Sequence, residues 1–191
     1  MPAIDRWVVT TFLAGYEVYC RSRKEQKLQP PTNLYTINLS GASINSDRFL
    51  SFLQEQLTLS SISPRTICFE ITETFAIDNL TKVAEFINEL KQLGCLSALD
   101  DFGSGESLTY LKSLSVDFLK IDGNLVKNII DDPVNSATVD CFNRIGHGMN
   151  MKTIAKFVEN QTIITKLREL GIDYAQGYGI GKPYPLSFTA S

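Results

Sequence analysis

Apolar residues recur along this chain with two different spacings, from its start to its end. Stretches with apolar residues three or four positions apart predict helices, and short, nearly continuous apolar runs between them predict strands. The predicted helices cover residues 4–24, 47–58, 79–93, 107–114, 134–149 and 160–170. The predicted strands cover residues 35–40, 67–72, 96–101, 118–122, 152–158 and 174–180. Each strand follows a helix, an order that indicates an α/β fold with a parallel sheet covered by helices.

Turn-forming residues separate the predicted segments. Gly94 and Gly171 each follow a predicted helix, where glycine commonly ends the helix. The Pro30-Pro31 pair precedes the first predicted strand and marks a turn. Since no linker or low-complexity stretch divides the chain, we expect residues 1–191 to form a single domain.

Polar or ionisable residues recur at the carboxyl ends of the predicted strands. In a β/α barrel these ends converge on one face, where the active site lies, whereas in an open sheet they spread along an edge. This regularity favours a barrel, and no glycine-rich dinucleotide fingerprint is present. Six predicted strands are fewer than the roughly eight of a closed barrel, so we expect the barrel to be incomplete at the N-terminus. The polar or ionisable residues at the predicted strand ends are Asn38, Glu70, Glu73, Asp100, Asp101, Lys120, Asp122, Lys156, Glu159 and Gln176.

Asp100 and Asp101 are the most informative of these residues. They follow a buried apolar run and precede Phe102-Gly103-Ser104-Gly105, a sequence that can turn sharply. Burying a carboxylate without a partner costs several kcal/mol, and two adjacent carboxylates repel each other. Such a pair normally needs a cation, and the pattern is typical of a site for divalent metal ions.

The composition limits the possible functions. With 191 residues, of which 43% are hydrophobic, and a net charge of −3, the chain has no basic surplus for binding a nucleic acid polymer. Its four scattered cysteines indicate thiols in a reducing compartment, and neither a membrane segment nor a signal peptide is predicted. We therefore expect a cytoplasmic protein. The lone His147 lies on a predicted helix away from every strand end, and we expect it to be structural.

Several motifs in one order resemble the EAL domain family. The resemblance implies an EAL-type modified TIM barrel, incomplete in this chain. It also implies a bacterial phosphodiesterase that uses Mg²⁺ or Mn²⁺ to linearise cyclic di-GMP to pGpG. The motifs are residues 1–7 (MPAIDRW), 37–40 (INLS), 69–74 (FEITET), 100–105 (DDFGSG), 119–123 (LKIDG) and 175–183 (AQGYGIGKP).

The resemblance also implies roles for the residues at the strand ends. Metal ligands would be Asn38, Glu70, Asp100 and Asp101, the last reaching a second metal ion. Glu73 would brace the loop after Asp101, and Lys120 would contact the attacking water or the phosphate. Asp122 and Gln176 would complete the substrate pocket. Two metal ions could activate the water and stabilise the in-line transition state.

Three departures from the family pattern predict impaired catalysis. The tripeptide Glu-Ala-Leu does not occur in the sequence, so a family metal ligand is missing. Lys156 stands where the family has a catalytic glutamate, and an ammonium does not accept a proton from water. The loop that begins at Gly105 is one residue shorter than usual, which affects a segment that the family uses to couple the metal site to dimer formation.

Three interpretations therefore remain open: a weak or inactive phosphodiesterase, a receptor that binds cyclic di-GMP without cleaving it, and a protein-interaction module. Retention of most site residues argues against the last. The open side of an incomplete barrel would expose strand edges, so we expect a homodimer or further domains of a longer signalling protein to cover it.

Overall fold

The computed structural model describes residues 2–27, 34–103 and 108–183. In this part of the chain a helical segment precedes each strand, as predicted, but the predicted helix 107–114 is the short 3₁₀ helix Thr109–Ser113 and the predicted strand 152–158 ends at Ala155. The helices are α1 (Pro2–Glu25), α2 (Gly41–Ile44), α3 (Asp47–Leu59), α4 (Glu73–Asp78), α5 (Leu80–Gln92), α6 (Gly123–Lys127), α7 (Pro133–Gly148) and α8 (Gln161–Glu169). The strands are β1 (Tyr35–Asn38), β2 (Ile67–Thr72), β3 (Leu96–Phe102), β4 (Phe118–Ile121), β5 (Lys152–Ala155) and β6 (Tyr174–Ala175). Short 3₁₀ helices cover Pro64–Thr66 and Thr109–Ser113.

The chain divides into two compact units. The first is formed by the residues up to Ile71 together with Asn79–Ser97. The second is formed by Thr72–Asp78 together with the residues from Ala98 onward. Each unit contains parallel strands and the helices that cover them.

In the first unit, β1 and β2 pair in parallel, with Asn38 opposite Glu70 in the register. The apolar face of α1 packs against this pair. The Phe12 and Tyr16 rings stack with their centroids 5.6 Å apart, and each ring contacts Tyr35 with a centroid distance of 5.1 Å. Such aromatic contacts each add about 0.5–1.5 kcal/mol to the stabilisation from burial, so they fix α1 on β1.

In the second unit, β3, β4, β5 and β6 pair in parallel in that order. A core of apolar side chains lies between these strands and the helices α6, α7 and α8. Full burial of one such side chain contributes about 1.5–3 kcal/mol, so this core stabilises the strand ends that carry the polar residues. Its buried members are Ile121, Val126, Ile129, Val139, Ala155, Val158, Ile163 and Leu167.

The last predicted strand, residues 174–180, is shorter than expected and ends at Ala175. The reason is a tight turn at Gly177. A Cβ on this glycine would lie 2.3 Å from Val158 N, so only glycine permits the close approach of the two segments. The backbone then turns, because Ile180 N and Gly181 N both donate to Gly177 O at 3.0 Å. Prediction from apolar residues alone missed this turn.

Candidate functional site

Two adjacent aspartates and two lysines form a cluster of charges in the second unit. Lys156 Nζ lies 2.5 Å from Asp101 Oδ1 and 2.9 Å from Asp100 Oδ1. Lys120 Nζ lies 3.3 Å from the same Asp100 oxygen. The sequence predicted that these four residues would lie at strand ends, and the structure brings them into contact.

The backbone of β3 explains how neighbouring aspartates reach one ammonium. In a regular strand successive side chains point to opposite faces of the sheet. Here the register with β4 shifts between Leu99 and Phe102, and Asp101 has a left-handed φ of 57°. This irregularity turns the Asp101 side chain so that it shares a partner with Asp100. Since a left-handed backbone is unfavourable for a residue other than glycine, the local structure maintains it against a cost of about 1–2 kcal/mol.

The position of Lys156 is fixed by hydrogen bonds of the backbone around it. It follows β5, and the next residues are tied to the segment after β6: Val158 N donates to Gln176 O at 3.0 Å, and Gln176 N donates to Ala155 O at 2.8 Å. The Lys156 side chain is only 15% exposed. Burial alone would lower the pKa of its ammonium, but the hydrogen bonds to Asp101 and Asp100 outweigh burial and raise the pKa above its ordinary value. Lys156 is therefore a cation at neutral pH.

Glu73, in the second unit, contacts the residue that follows β3 and is almost completely buried. It is the first residue of α4, and its carboxylate accepts hydrogen bonds from the Tyr110 hydroxyl and from Gly103 N, the latter at 3.1 Å. Burial and this hydrogen bond both raise the pKa of Tyr110, so its hydroxyl stays a donor at neutral pH. Glu73 thus joins the residue that follows β3 to the 3₁₀ helix Thr109–Ser113. No sequence pattern indicated Tyr110 as the partner of Glu73.

Asn38 and Glu70 form a second pair of predicted site residues, located in the first unit. They stand opposite each other in the register of β1 and β2, and Leu39 N donates to Glu70 O at 3.0 Å. Asn38 is exposed and Glu70 is buried. Their side chains therefore belong to adjacent strand ends, as the sequence predicted.

A cleft of about 370 Å³ lies next to Lys156 in the second unit. Its lining includes Lys156, Glu159, Gln176 and Tyr178, so two further residues that the sequence placed at strand ends face one space. Asp122, in contrast, acts as the N-cap of α6, where its carboxylate accepts a hydrogen bond from Asn124 N at 2.8 Å. A cleft of this size, with charged and amide groups on its wall, can hold part of a polar organic ligand.

Phe157 forms one wall of the same cleft, and its ring is 48% exposed. Lys127 Nζ lies 4.7 Å from the centre of the ring, a cation–π contact. The ring fills the space that a side chain at Gly123 would need. An exposed aromatic ring next to lysines presents a flat surface on which a planar group can stack.

The arrangement of the aspartates does not fit a divalent metal ion. Each aspartate already contacts the Lys156 ammonium, and Asp100 also contacts Lys120, so the two negative charges are matched by two positive ones. In the described ranges, no group of three or more His, Cys, Asp or Glu side chains is arranged to hold a metal ion. Mg²⁺ and Mn²⁺ take oxygen ligands, and here the Oδ1 atoms of Asp100 and Asp101 are already ion-paired with Lys156.

Comparison with known proteins identifies the class to which this fold and site belong. The family model of the EAL domain matches residues 1–183, and the chain belongs to this family. The chain is similar to the EAL enzyme Bd1971 in its cAMP- and cyclic-di-GMP-bound form, with a TM-score of 0.87 and 27% identity over 97% of this chain and 50% of that one. This similarity confirms the predicted fold class, an α/β barrel of the EAL type that is incomplete in this chain.

Two curated relatives are also similar in sequence. The chain is 44% identical to cyclic di-GMP phosphodiesterase PdeB of Shewanella oneidensis, over 80% of this chain and 18% of the relative. It is 35% identical to cyclic di-GMP phosphodiesterase PdeF of Escherichia coli, over 98% of this chain and 24% of the relative. The chain therefore spans about a quarter or less of the length of these relatives. No helix among the described residues has both the length and the apolar character of a membrane span.

Proposed function

We propose that this chain is a cyclic di-GMP-binding EAL domain in which hydrolysis of the ligand is strongly impaired. Membership in the EAL family and the names of the two relatives support the ligand. The observation that carries the proposal is the Lys156 ammonium, which stands in place of the family's catalytic glutamate and is ion-paired with both aspartates.

Lys156 disfavours cleavage of the ligand but is compatible with binding of the ligand. Hydrolysis of a phosphodiester requires a group that accepts a proton from the attacking water. Lys156 has no lone pair to offer at neutral pH, because its partners raise the pKa of its ammonium. Removal of one general base typically slows a reaction by about 10²–10⁴-fold. A buried cation is nevertheless favourable next to the phosphates of a nucleotide.

The roles of the remaining residues follow from their positions. Lys156 and Gln176 lie on the wall of the cleft, where their ammonium and amide groups contact the ligand. Lys120 holds Asp100 through an ion pair. Glu73 positions the residues after β3 through Gly103. Asp100 and Asp101 are ion-paired with Lys156 and do not act as metal ligands while it is in place.

The test combines a binding and a turnover measurement on the same protein. We expect isothermal titration with cyclic di-GMP to give saturable binding, weakened in Gln176→Ala and unchanged in a control variant, Lys91→Gln, which removes a charge from an exposed position on α5. Chromatography after incubation with Mg²⁺ or Mn²⁺ should show turnover at least about 10²-fold below a typical enzymatic rate. Turnover at about 1 s⁻¹ or faster would contradict impaired hydrolysis, and absence of binding would contradict the assigned ligand.

A further inference from the structure

We propose that the Lys156 ammonium is the resident cation of the Asp100–Asp101 pair, in place of a divalent metal ion. The domain then binds its ligand in the absence of metal, and the aspartates do not take up Mn²⁺ while Lys156 is present. The identity of the ligand rests on the function proposed above. The exclusion of the metal rests on the geometry of the charge cluster alone.

The Lys156 ammonium occupies the space between the two aspartates. Lys156 Nζ lies 2.9 Å and 2.5 Å from the nearest oxygens of Asp100 and Asp101. Divalent cations bind carboxylate oxygens at roughly 2.0–2.6 Å, so a cation that bridged these two oxygens would need the space that Nζ occupies. A metal ion can bridge these two oxygens only after the ammonium has moved away.

The charges of the cluster are balanced, since two carboxylates contact the nitrogens of Lys156 and Lys120. Its inner part is closed to water, because Lys120 is 2% exposed and Asp100 is 6% exposed, whereas the Asp101 side chain is 47% exposed. Adding a divalent ion would leave two uncompensated positive charges where water screens them poorly. Removal of the Lys156 charge, in contrast, would leave one carboxylate without a compensating positive charge.

The backbone holds Lys156 close to the aspartates. Lys156 is part of the chain, and hydrogen bonds on both sides of it fix its backbone between β5 and the turn after β6. Its ammonium is therefore always present next to the aspartates, at a high effective concentration that a dissolved metal ion has to overcome.

Titration with MnCl₂ alone, followed by calorimetry and by the electron paramagnetic resonance of the free ion, tests the proposal on four proteins. These are the wild type, Lys156→Gln, Lys156→Glu and the control Lys91→Gln. Lys156→Gln removes the cation without adding a carboxylate, so it separates exclusion by the ammonium from the simple lack of a ligand. We expect Mn²⁺ affinity to rise by about tenfold or more in Lys156→Gln, which equals about 1.4 kcal/mol, and further in Lys156→Glu. The wild type and Lys91→Gln should bind Mn²⁺ equally weakly.

A rise in Lys156→Glu alone would overturn the proposal, because it would mean that the ammonium does not compete with the metal. Equal affinities in all four proteins would overturn it as well. Circular dichroism checks that the variants are folded. If the variants are not folded, binding of cyclic di-GMP to the wild type tests the proposal instead. The affinity should be equal in EDTA and in excess MnCl₂, and loss of binding in EDTA would refute the proposal. If cyclic di-GMP binds under neither condition, the proposed function fails, while the Mn²⁺ titrations still test the resident cation.

Discussion

The ring of Phe157 occupies the space directly above the backbone of Gly123. A Cβ at residue 123 would lie 1.6 Å from Phe157 Cδ2 and 2.5 Å from two further ring carbons. Gly123 is the first residue of α6, and Phe157 follows β5 with a left-handed φ of 54°. The contact therefore joins the chain segments that follow two neighbouring strands, next to the cleft.

This contact makes residues 123 and 157 depend on each other. We expect Gly123→Ala to destabilise the protein by about 1–3 kcal/mol, because the ring or the start of α6 has to move. In the Phe157→Gly background the same substitution should cost almost nothing, since the ring is gone. Urea unfolding of the two single variants, the double variant and the wild type gives the coupling energy. Additive effects would show that the ring swings away freely.

Tyr110 tests the support that Glu73 gives to the end of β3. Tyr110→Phe removes the hydroxyl that donates to the buried Glu73 carboxylate, so we expect a loss of about 1–3 kcal/mol in the free energy of unfolding. The control is Tyr178→Phe, which removes a hydroxyl from a side chain that is 67% exposed. A loss in Tyr110→Phe no larger than in the control would contradict the role of this hydrogen bond.

The pH dependence gives a second test of Tyr110. Its pKa is raised by burial and by Glu73, so the folded protein keeps the phenol proton where the unfolded chain loses it. This contribution to stability is complete below the ordinary tyrosine pKa of about 10 and is lost as the pH rises above it. Unfolding curves at increasing pH should therefore show a smaller alkaline loss of stability in Tyr110→Phe than in the wild type.

Asp173 connects α7, β5 and the start of β6 in the second unit. Its carboxylate accepts hydrogen bonds from Lys152 Nζ at 2.6 Å and Thr153 N at 2.9 Å, and it lies 2.7 Å from His147 Nε2. Burial alone would raise the pKa of Asp173, but these partners lower it well below its usual range. His147 thus has a structural contact, as the sequence predicted.

The lowered pKa of Asp173 predicts an acid-sensitive contribution to stability. The contribution is fully present above the ordinary aspartate pKa of about 4 and is lost as the pH falls through the lowered value. Asp173→Asn should reduce stability at neutral pH by about 2 kcal/mol and flatten the decline below pH 4 or so. Asp47→Asn, which breaks the surface pair with Lys82, should change little. An unchanged acid profile in Asp173→Asn would refute this assignment.

Asp5 fixes the start of α1 in the first unit. Its Oδ2 accepts hydrogen bonds from Ser40 N at 2.9 Å and from the hydroxyls of Ser40 and Ser43 at 2.6 Å each. Hydrogen bonds to a charged acceptor contribute about 1.5–3 kcal/mol, so we expect Asp5→Asn to cost about 2 kcal/mol in thermal or urea unfolding. The matched control on the same helix is Glu17→Gln, whose side chain makes an exposed contact with Ser61. Equal costs in the two variants would contradict this role of Asp5.

The sequence predicted the order of the long helices and strands because each has a clear apolar period. It did not predict α2, α4 and α6, since a helix of four to six residues is too short to show one. Asp100, Asp101, Lys120 and Lys156 could be placed at strand ends from the sequence. Their contacts could not, because these depend on the register shift in β3 and the left-handed backbone of Asp101, which no local pattern encodes. The contact between Tyr110 and Glu73 could not be predicted either, because 37 positions separate the two residues in the sequence.

The charge cluster has a consequence for how this domain can evolve. Codons for lysine and glutamate differ only at the first base, so a point mutation can exchange Lys156 for a glutamate. The left-handed turn at Asp101 and the register shift in β3, which bring the aspartates together, lie on a different strand from residue 156. Under the proposal above, a single base change is therefore enough to remove or restore the resident cation.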